Sequence, residues 1–481
     1  MLETLEAAVV FKYFEQISNI PRQSGNEKLI SDYLVDFAIK NNLEYKRDAV
    51  NNVLIKKNAS VGYENAPSII LQGHMDMVCV KTNESTHDFS KDPIELIIDN
   101  DILKAKDTSL GADDGIGVAI ALAILESKDI AHPEIEALFT IDEENTMSGA
   151  KKFDLSQLKS KILFNLDGEE ENIFVVGSGG IVDLDIVYDV ELNKNTNPAY
   201  EIKIEGLFGG HSAIEISNER ANAIVLMARI LFKLKNKINF SLAKICVGQR
   251  ANVIPYSGTA TITFNENDFE AAKTIIENIT NDFKNEYKTA DPNLSVEFKK
   301  SDEKFDLVLA DKFLKNIISS IFIIPNGVIN RNLDLDGATE TSNNIGTLRF
   351  ENKKIIIGNK IRSSMDSRIK FVVAQLEYVA KMFGASIENL TTFPTWDYNP
   401  NSKLVNFCKK VYEQTYGTSP KIEATHGGLE CSYFKQIPGI DMICIGPNIH
   451  NCHSVNETVE ISSVNRFWKF FKQVLKDLKN Y

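Results

Sequence analysis

The stretch Leu71-Gln72-Gly73-His74-Met75-Asp76-Met77, at the end of the apolar run Ser68-Ile69-Ile70-Leu71, constrains the fold more than any other part of the chain. A β-branched run bounded by Pro67 and Gly73 reads as a buried strand, so His74 and Asp76 emerge just beyond its carboxyl end. In an open α/β sheet, that is where ligands bind. Residues i and i+2 of an extended chain point the same way, so Asp76 can reach the His74 imidazole and set its tautomer. A metal-binding histidine is held in this way. So is a histidine that merely caps a strand end beside a hydrogen-bonding aspartate.

The pattern recurs twice. Glu136 to Ile141 reads as a strand ending in Asp142-Glu143-Glu144, and Lys161 to Leu166 as another ending in Asp167-Gly168-Glu169-Glu170-Glu171. Buried strands that finish in carboxylates are costly without a cation, because clustered like charges raise one another's pKa values. Metal ligation is therefore expected for Glu144 and Asp167 at the strand ends themselves, and a solvated acidic rim for Glu169 to Glu171. The loop Leu110-Gly111-Ala112-Asp113-Asp114-Gly115 precedes Val118 to Leu125, which is almost wholly apolar. That run predicts a buried helix with Asp113 in or just before its first turn, where the helix dipole favours an ionised carboxylate.

At 481 residues the chain is long enough for two or three domains. Helices are expected from Glu3 to Ile17 and from Gly25-Asn26-Glu27 to about Asn41, then strands at Asn52 to Lys56 and near Ile102 to Lys104. From about Asp183 the texture changes. Strand Ala199 to Glu205, helix Arg220 to Lys235, strands Lys244 to Val247 and Gly258 to Phe264, helix Asp268 to Tyr287 and strand Leu294 to Lys299 follow the ferredoxin-like β-α-β-β-α-β order. The segment through Phe383 is long enough for two such units. After Gly384 the first texture returns, with helices Ser402 to Tyr416 and Leu429 to Gln436, strands Lys421 to Ala424 and Ile440 to Ile445, and a final helix from about Ser462 to Leu478. The chain therefore reads as α/β. A discontinuous domain, 1–184 and 386–481, carries a mostly parallel central sheet, and an α+β domain, 185–385, is inserted in it. The second half adds three histidines in loops, His426, His450 and His453, among which residue physics alone does not choose.

Composition narrows the function. A net charge of −13 with no basic block argues against nucleic-acid or anionic-membrane partners. The apolar stretch Ile116 to Leu125 falls far short of the ~20 residues of a membrane helix. Glu3 and Glu6 stand where a signal peptide would be basic, and the six cysteines contain no C-x-x-C pair. A reduced, cytoplasmic protein is expected.

Collected, the strand-end residues are His74, Asp113, Glu144, Asp167 and one carboxyl-terminal histidine, with Asp76 and Glu143 beside them. Histidine plus carboxylate suits zinc, and five ligands with one shared carboxylate suit two metals close together. Such a pair stabilises a bridging hydroxide at neutral pH, and an unliganded glutamate next to a ligand is placed to move protons.

These residues stand in a longer series of motifs. It comprises Ile20-Pro21-Arg22-Gln23-Ser24-Gly25, Gln72 to Val78, Leu110 to Asp113, Thr140 to Glu144, Asn165-Leu166-Asp167, Gly209-Gly210-His211-Ser212, Ile361-Arg362-Ser363-Ser364, Leu429-Glu430-Cys431 and His453-Ser454. In that order they resemble the aminoacyl-histidine dipeptidases (cytosol non-specific dipeptidases, peptidase D) of the co-catalytic zinc aminoacylase and carboxypeptidase group. The resemblance implies a metal-dependent dipeptidase acting on dipeptides with a free amino terminus, such as β-alanyl-histidine, and leaves room for a homodimer. It implies two Zn2+ per chain, with Co2+ or Mn2+ as substitutes. His74 and Asp167 would hold one ion, Glu144 and His453 the other, and Asp113 would bridge. Asp76 would orient His74, Glu143 would be general base and acid, His211 in the inserted lid would stabilise the oxyanion, and Asn252 and Arg362 would bind substrate. The same site would also serve an N-acyl-amino-acid amidohydrolase, and a metal-stabilised binding protein is the alternative outside enzymes. The chain departs from the family pattern at Asp114 (usually Asn), at Ser432 (usually Gly) and at Val455-Asn456 (usually Pro-Asp), which bears on substrate preference.

Overall fold

The computed structural model describes residues 5–481 and divides into two compact units. Among the described residues, the first comprises 5–177, 398–424 and 429–481, and the second 178–397 and 425–428. The expected bound at 184 falls inside the strand Gly180–Asp189, which pairs with Ser386–Phe393, so the second unit reaches further on both sides than 185–385.

The first unit is built on an eight-stranded sheet. Its spatial order is Glu44–Arg47, Val53–Lys57, Ile135–Thr140, Ile69–His74, Ile162–Asn165, Asp441–Cys444, Ile173–Ser178 and Lys421–Thr425. The middle is parallel: Ile69–His74 lies between Ile135–Thr140 and Ile162–Asn165, and the latter pairs with Asp441–Cys444. The flanks are antiparallel, at Val53–Lys57 on one side and Ile173–Ser178 on the other. Every residue of the three central strands is buried, as expected where both faces are covered. One cover is the helix Ala112–Glu126, buried throughout from Ala112 to Leu125, as expected where Ile116 to Leu125 is apolar on every side.

Another is the helix Ile461–Asp477, whose Ile461, Val464, Phe467, Phe471 and Val474 recur at helical spacing and are buried. Phe471 meets Phe164 edge to face, with ring centroids 5.3 Å apart. Phe471→Ala is expected to cost about 3–5 kcal/mol, read as a lowered denaturant midpoint.

The expected helix from Glu3 is found over Ala8–Ser18; Glu3 lies outside the described residues. The expected helix after Leu429 is a single turn, Cys431–Phe434. A small antiparallel sheet appears only in three dimensions, with Ile449–His450, Thr458–Glu460, Ile102–Ala105 and Leu96–Asp99 side by side. None of the described helices is long and apolar enough to cross a membrane.

The second unit carries a nine-stranded antiparallel sheet with helices Ala223–Lys235, Phe269–Glu286, Asp311–Ile323 and Asp366–Phe383. Ser295–Lys300, Ala199–Glu205, Gly258–Thr263 and Ser241–Val247 follow one another in space, the 4-1-3-2 order of a ferredoxin-like unit. Ala338–Glu351, Lys354–Ser363, Gly180–Asp189 and Ser386–Phe393 repeat that order in reverse. Two ferredoxin-like units thus share one sheet, joined where Val247 pairs with Leu348.

Candidate metal centre

Parallel pairing decides where the site lies. In register, His74 faces Thr140 and Gln72 faces Asn165, so the three strands end at one edge of the sheet. The residues that follow, Glu143, Glu144 and Asp167, are delivered to that edge with His74. Asp113 comes from the first turn of the helix Ala112–Glu126, where Asp113 and Asp114 depart from helical geometry.

Asp113 stands between two histidines. Its Oδ1 lies 3.0 Å from His74 Nε2, and its Oδ2 lies 3.1 Å from His453 Nε2. Asp167 Oδ1 joins the first side at 3.5 Å from His74 Nε2, and Glu144 Oε2 the second at 2.9 Å from His453 Nε2. One carboxylate is thus shared by two histidine–carboxylate pairs. Ligand atoms of His74, Asp113 and Glu144 lie within 4.8 Å of one another.

The cluster concentrates buried charge. Burial pushes the Asp167 carboxyl up to about 8, and burial with Asp167, Glu144 and Glu430 nearby pushes Glu143 well above the usual carboxylate range. Hydrogen bonds to Asp113 and Glu144 raise His453 to about 11, although its side chain is half exposed. Against its burial, His453 and His74 hold Asp113 well below the usual range. Glu144 Oε1 is buried with no hydrogen-bond partner. Crowded buried carboxylates and an unpaired carboxylate oxygen are costly for a bare protein, and each is satisfied by a cation. Two imidazoles and three carboxylates also form a donor set that suits zinc.

Asp76 does more than its proximity to His74 suggests. Its Oδ1 lies 3.4 Å from His74 Nδ1, longer than a good hydrogen bond. The same carboxylate accepts the backbone N–H groups of Glu143 and Glu144 at 3.1 and 3.3 Å and the Ser24 hydroxyl at 2.7 Å. Asp76 therefore fixes the Glu143–Glu144 backbone relative to the His74 loop. Asp114 is buried, and its Oδ2 accepts the His74 N–H at 3.1 Å. A Cβ on Gly73 or Gly117 would stand 2.3 or 2.1 Å from that carboxylate.

Beneath the cluster lies a polar layer that sequence reasoning missed. Glu430 Oε2 accepts from Gln72 Nε2 and Thr140 Oγ1, both at 2.6 Å, and Asn165 Nδ2 donates to Gln72 Oε1 at 2.8 Å. The available signal was register: Gln72 and Asn165 each stand two residues before a candidate ligand. Of the acidic rim, Glu171 pairs with Arg466 at 2.8 Å and accepts from Ser463, while Glu169 groups with Asp113 and Cys452.

Of the three open histidines, only His453 meets the cluster. His450 pairs with Glu460 at 2.8 Å on the surface, and His426 belongs to the second unit, where its Nε2 meets Ser342 Oγ at 2.8 Å. His453 holds a φ of 63°, a sparsely populated region for a residue with a side chain, as recurs at functional sites.

The remaining candidates, His211, Asn252 and Arg362, all lie in the second unit. Glu215 accepts the His211 N–H at 2.8 Å and pairs with Arg220, whose guanidinium donates to the Gly209 carbonyl. Gly210, at φ 123°, leaves room for this: a Cβ there would stand 2.4 Å from Glu215 Oε2. Burial, with Arg362 and Lys360 nearby, lowers the His211 pKa and keeps its ring neutral. Ala213 N–H faces His211 Nδ1 at 3.4 Å, an arrangement that favours the tautomer with the ring proton on Nε2. Asn252 is adjacent, its carbonyl accepting from Ser212 N, and Asn344 holds the carbonyls on either side of it at 2.8 and 2.9 Å. Arg362 is buried on the strand Lys354–Ser363; its Nη1 reaches the His426 carbonyl at 3.4 Å, and its Nε has no partner.

Comparison with known proteins agrees with the motifs. Residues 70–477 match the model of Peptidase family M20/M25/M40. The chain is 34% identical to the cytosol non-specific dipeptidase of Escherichia coli (strain K12), over 99% of each chain. It matches the crystal structure of aminoacylhistidine dipeptidase from Vibrio alginolyticus with a TM-score of 0.92 and 33% identity, over 99% of this chain and 98% of that one. A tripeptidase from Staphylococcus aureus shares the fold at a TM-score of 0.57 and 16% identity, over 99% of this chain and 100% of that one. With the model spanning most of its length and a relative of this identity along nearly all of it, the chain belongs to peptidase family M20/M25/M40.

Proposed function

We propose that this protein is a di-zinc dipeptidase of the cytoplasm that hydrolyses dipeptides with a free amino terminus, including aminoacyl-histidines. The observation that carries the metal assignment is Asp113, with one carboxylate oxygen facing each of two histidines at 3.0 and 3.1 Å. His74 and Asp167 would hold one ion and His453 and Glu144 the other, with Asp113 common to both. When bound, such a pair supplies Lewis acidity, polarising a carbonyl and lowering the pKa of water toward neutrality. The substrate class is supported by the full-length relatives, a cytosol non-specific dipeptidase and an aminoacylhistidine dipeptidase.

The chain's own residues then divide the work. Glu143 takes a proton from the attacking water and returns it to the leaving amine nitrogen. Asp76 holds the Glu143 backbone in place for that exchange. Neutral His211 donates from Nε2 to the oxygen on which charge develops, and Asn252 and Arg362 hold the substrate, Arg362 by its carboxylate.

The deciding experiment is a dipeptide panel, β-alanyl-histidine included, assayed after chelation and metal add-back beside N-acylated amino acids. Cleavage confined to free amino termini is expected. Cleavage of the acylated series alone would make the protein an amidohydrolase, and neither, with metal bound, a binding protein.

The second-unit residues separate by kinetics. His211→Ala should lower kcat on the order of 10²–10³-fold with metal content unchanged, the usual cost of an oxyanion donor. Arg362→Ala should act mainly on KM, and its effect should vanish with amidated substrates. A homodimer belongs to the same proposal. If His211 acts across it, mixed His211→Ala and Glu143→Gln subunits will recover activity.

A further inference from the structure

Two buried residues outside the ligand set grip the loop that carries Asp113. Arg22 is almost fully buried, and its guanidinium bridges two loops. Its Nη1 donates to the carbonyls of Met75 and Asp76 at 3.3 and 2.9 Å, and its Nη2 donates to the Gly111 carbonyl. Gly111 is required for that approach: it adopts φ 69°, and a Cβ there would stand 2.4 Å from Arg22 Nη2.

Glu457 holds the same loop through its N–H groups. Its Oε2 accepts from Leu110 and Gly111 at 2.8 and 2.9 Å, and its Oε1 from Ala112 and Asp113 at 2.8 and 3.2 Å. Four converging backbone donors at a helix start form a strong cradle for one carboxylate. Glu457 is also the end of the His453 loop: its own N–H returns to the Ser454 carbonyl at 3.2 Å, and Thr458–Glu460, immediately after it, pairs with Ile102–Lys104. The Asp113 loop is therefore tied by Arg22 to the loop of His74 and by Glu457 to the loop of His453.

We infer, on the dinuclear site proposed above, that Arg22 and Glu457 are positioning residues that lock Asp113 between the two histidine loops and thereby set the affinity of the metal pair. The hydrogen bonds of both side chains go to backbone carbonyls and N–H groups and not to a candidate ligand's donor atom, so neither would hold metal itself. A bare helix start would leave Asp113 free to favour one histidine; held from both sides, its two oxygens stay divided between them.

The test is a Zn2+ titration of the chelator-stripped full chain by calorimetry, with the melting temperature of the metal-free protein measured beside it. The wild type should take up two ions. Glu457→Gln puts an amide N–H₂ among four N–H donors, and Arg22→Lys keeps the charge but cannot span three carbonyls. Each should weaken Zn2+ binding about 10–100-fold, the usual cost of losing a residue that orients ligands. Activity should return toward the wild-type kcat at high Zn2+ with KM unchanged.

Glu136→Gln is the control for stability alone. Glu136 is likewise a buried carboxylate, accepting two N–H groups at 2.9 Å and pairing with Lys56 at 3.1 Å, but at the amino end of its strand. It should lower the melting temperature without altering Zn2+ affinity. Equal loss of affinity in Glu136→Gln, or unchanged affinity in folded Glu457→Gln or Arg22→Lys, overturns the positioning role. Should Glu457→Gln fail to fold, Arg22→Lys carries the test alone. A wild type that binds fewer than two ions overturns the dinuclear site instead.

Discussion

Replacing Asp113 with alanine should empty or weaken both metal positions together and lower turnover by at least on the order of 10³-fold, the upper end for loss of one electrostatic stabiliser. The expectation follows from its geometry: Oδ1 is 3.0 Å from one histidine and Oδ2 is 3.1 Å from the other. No other residue of the cluster is shared by both histidines. Asp113→Asn makes a sharper test, because the amide keeps the volume but offers an acceptor oxygen to one side only. It should retain one ion at near-native affinity and lose the other, as read by metal analysis and calorimetry. Two ions bound as tightly as in the wild type would remove Asp113 from the bridge. Loss of a single ion in Asp113→Ala would show two independent sites.

Glu143→Gln should keep both ions and lose about 10²–10⁴ in kcat, the scale of general acid–base catalysis. Its backbone N–H is held by Asp76 Oδ1 at 3.1 Å, a contact the substitution leaves in place, so the side chain changes chemistry without moving. Burial and neighbouring carboxylates push its pKa up, which suits a group that must both take and give a proton near neutral pH. Cations at the cluster would offset part of that rise. Near-normal turnover would exclude Glu143 as the base. Loss of metal would show that Glu143 and Glu144 have exchanged roles.

The two substitutions differ in what they separate. Asp113 variants report on holding the ions, and Glu143→Gln reports on moving protons once they are held. Metal content is therefore the measurement to make first in both. A drop in turnover without it would not tell a ligand from a base.

The linear chain was most legible where local physics is self-sufficient. The β-branched run before Gly73, the apolar helix after Gly115 and the 3.6-residue spacing of Ile461, Val464, Phe467 and Phe471 each dictate their own element. Apolar strands that end in His74, Glu144 and Asp167 announced an edge of a parallel sheet with a cluster of charge. The β-α-β-β-α-β order from Ala199 to Lys300 likewise carried its ferredoxin-like arrangement, because the connection lengths leave few other pairings.

Other features needed the tertiary structure, for one physical reason: they depend on contacts between residues far apart in sequence, to which local periodicity is blind. His426, His450 and His453 look alike in the chain. They part only because the pairing of Thr458–Glu460 with Ile102–Lys104 fixes the loop whose His453 meets Asp113 and Glu144, 340 and 309 positions away. The Glu430 layer rests on strand register, and the Arg22 and Glu457 grip on Gly111 rests on a fully buried guanidinium and four converging N–H groups. The residue types able to hold metal were set by the sequence, and the division of the Asp113 oxygens between two histidines by tertiary packing, since only packing brings a helix start and a distant loop within 3.1 Å of each other.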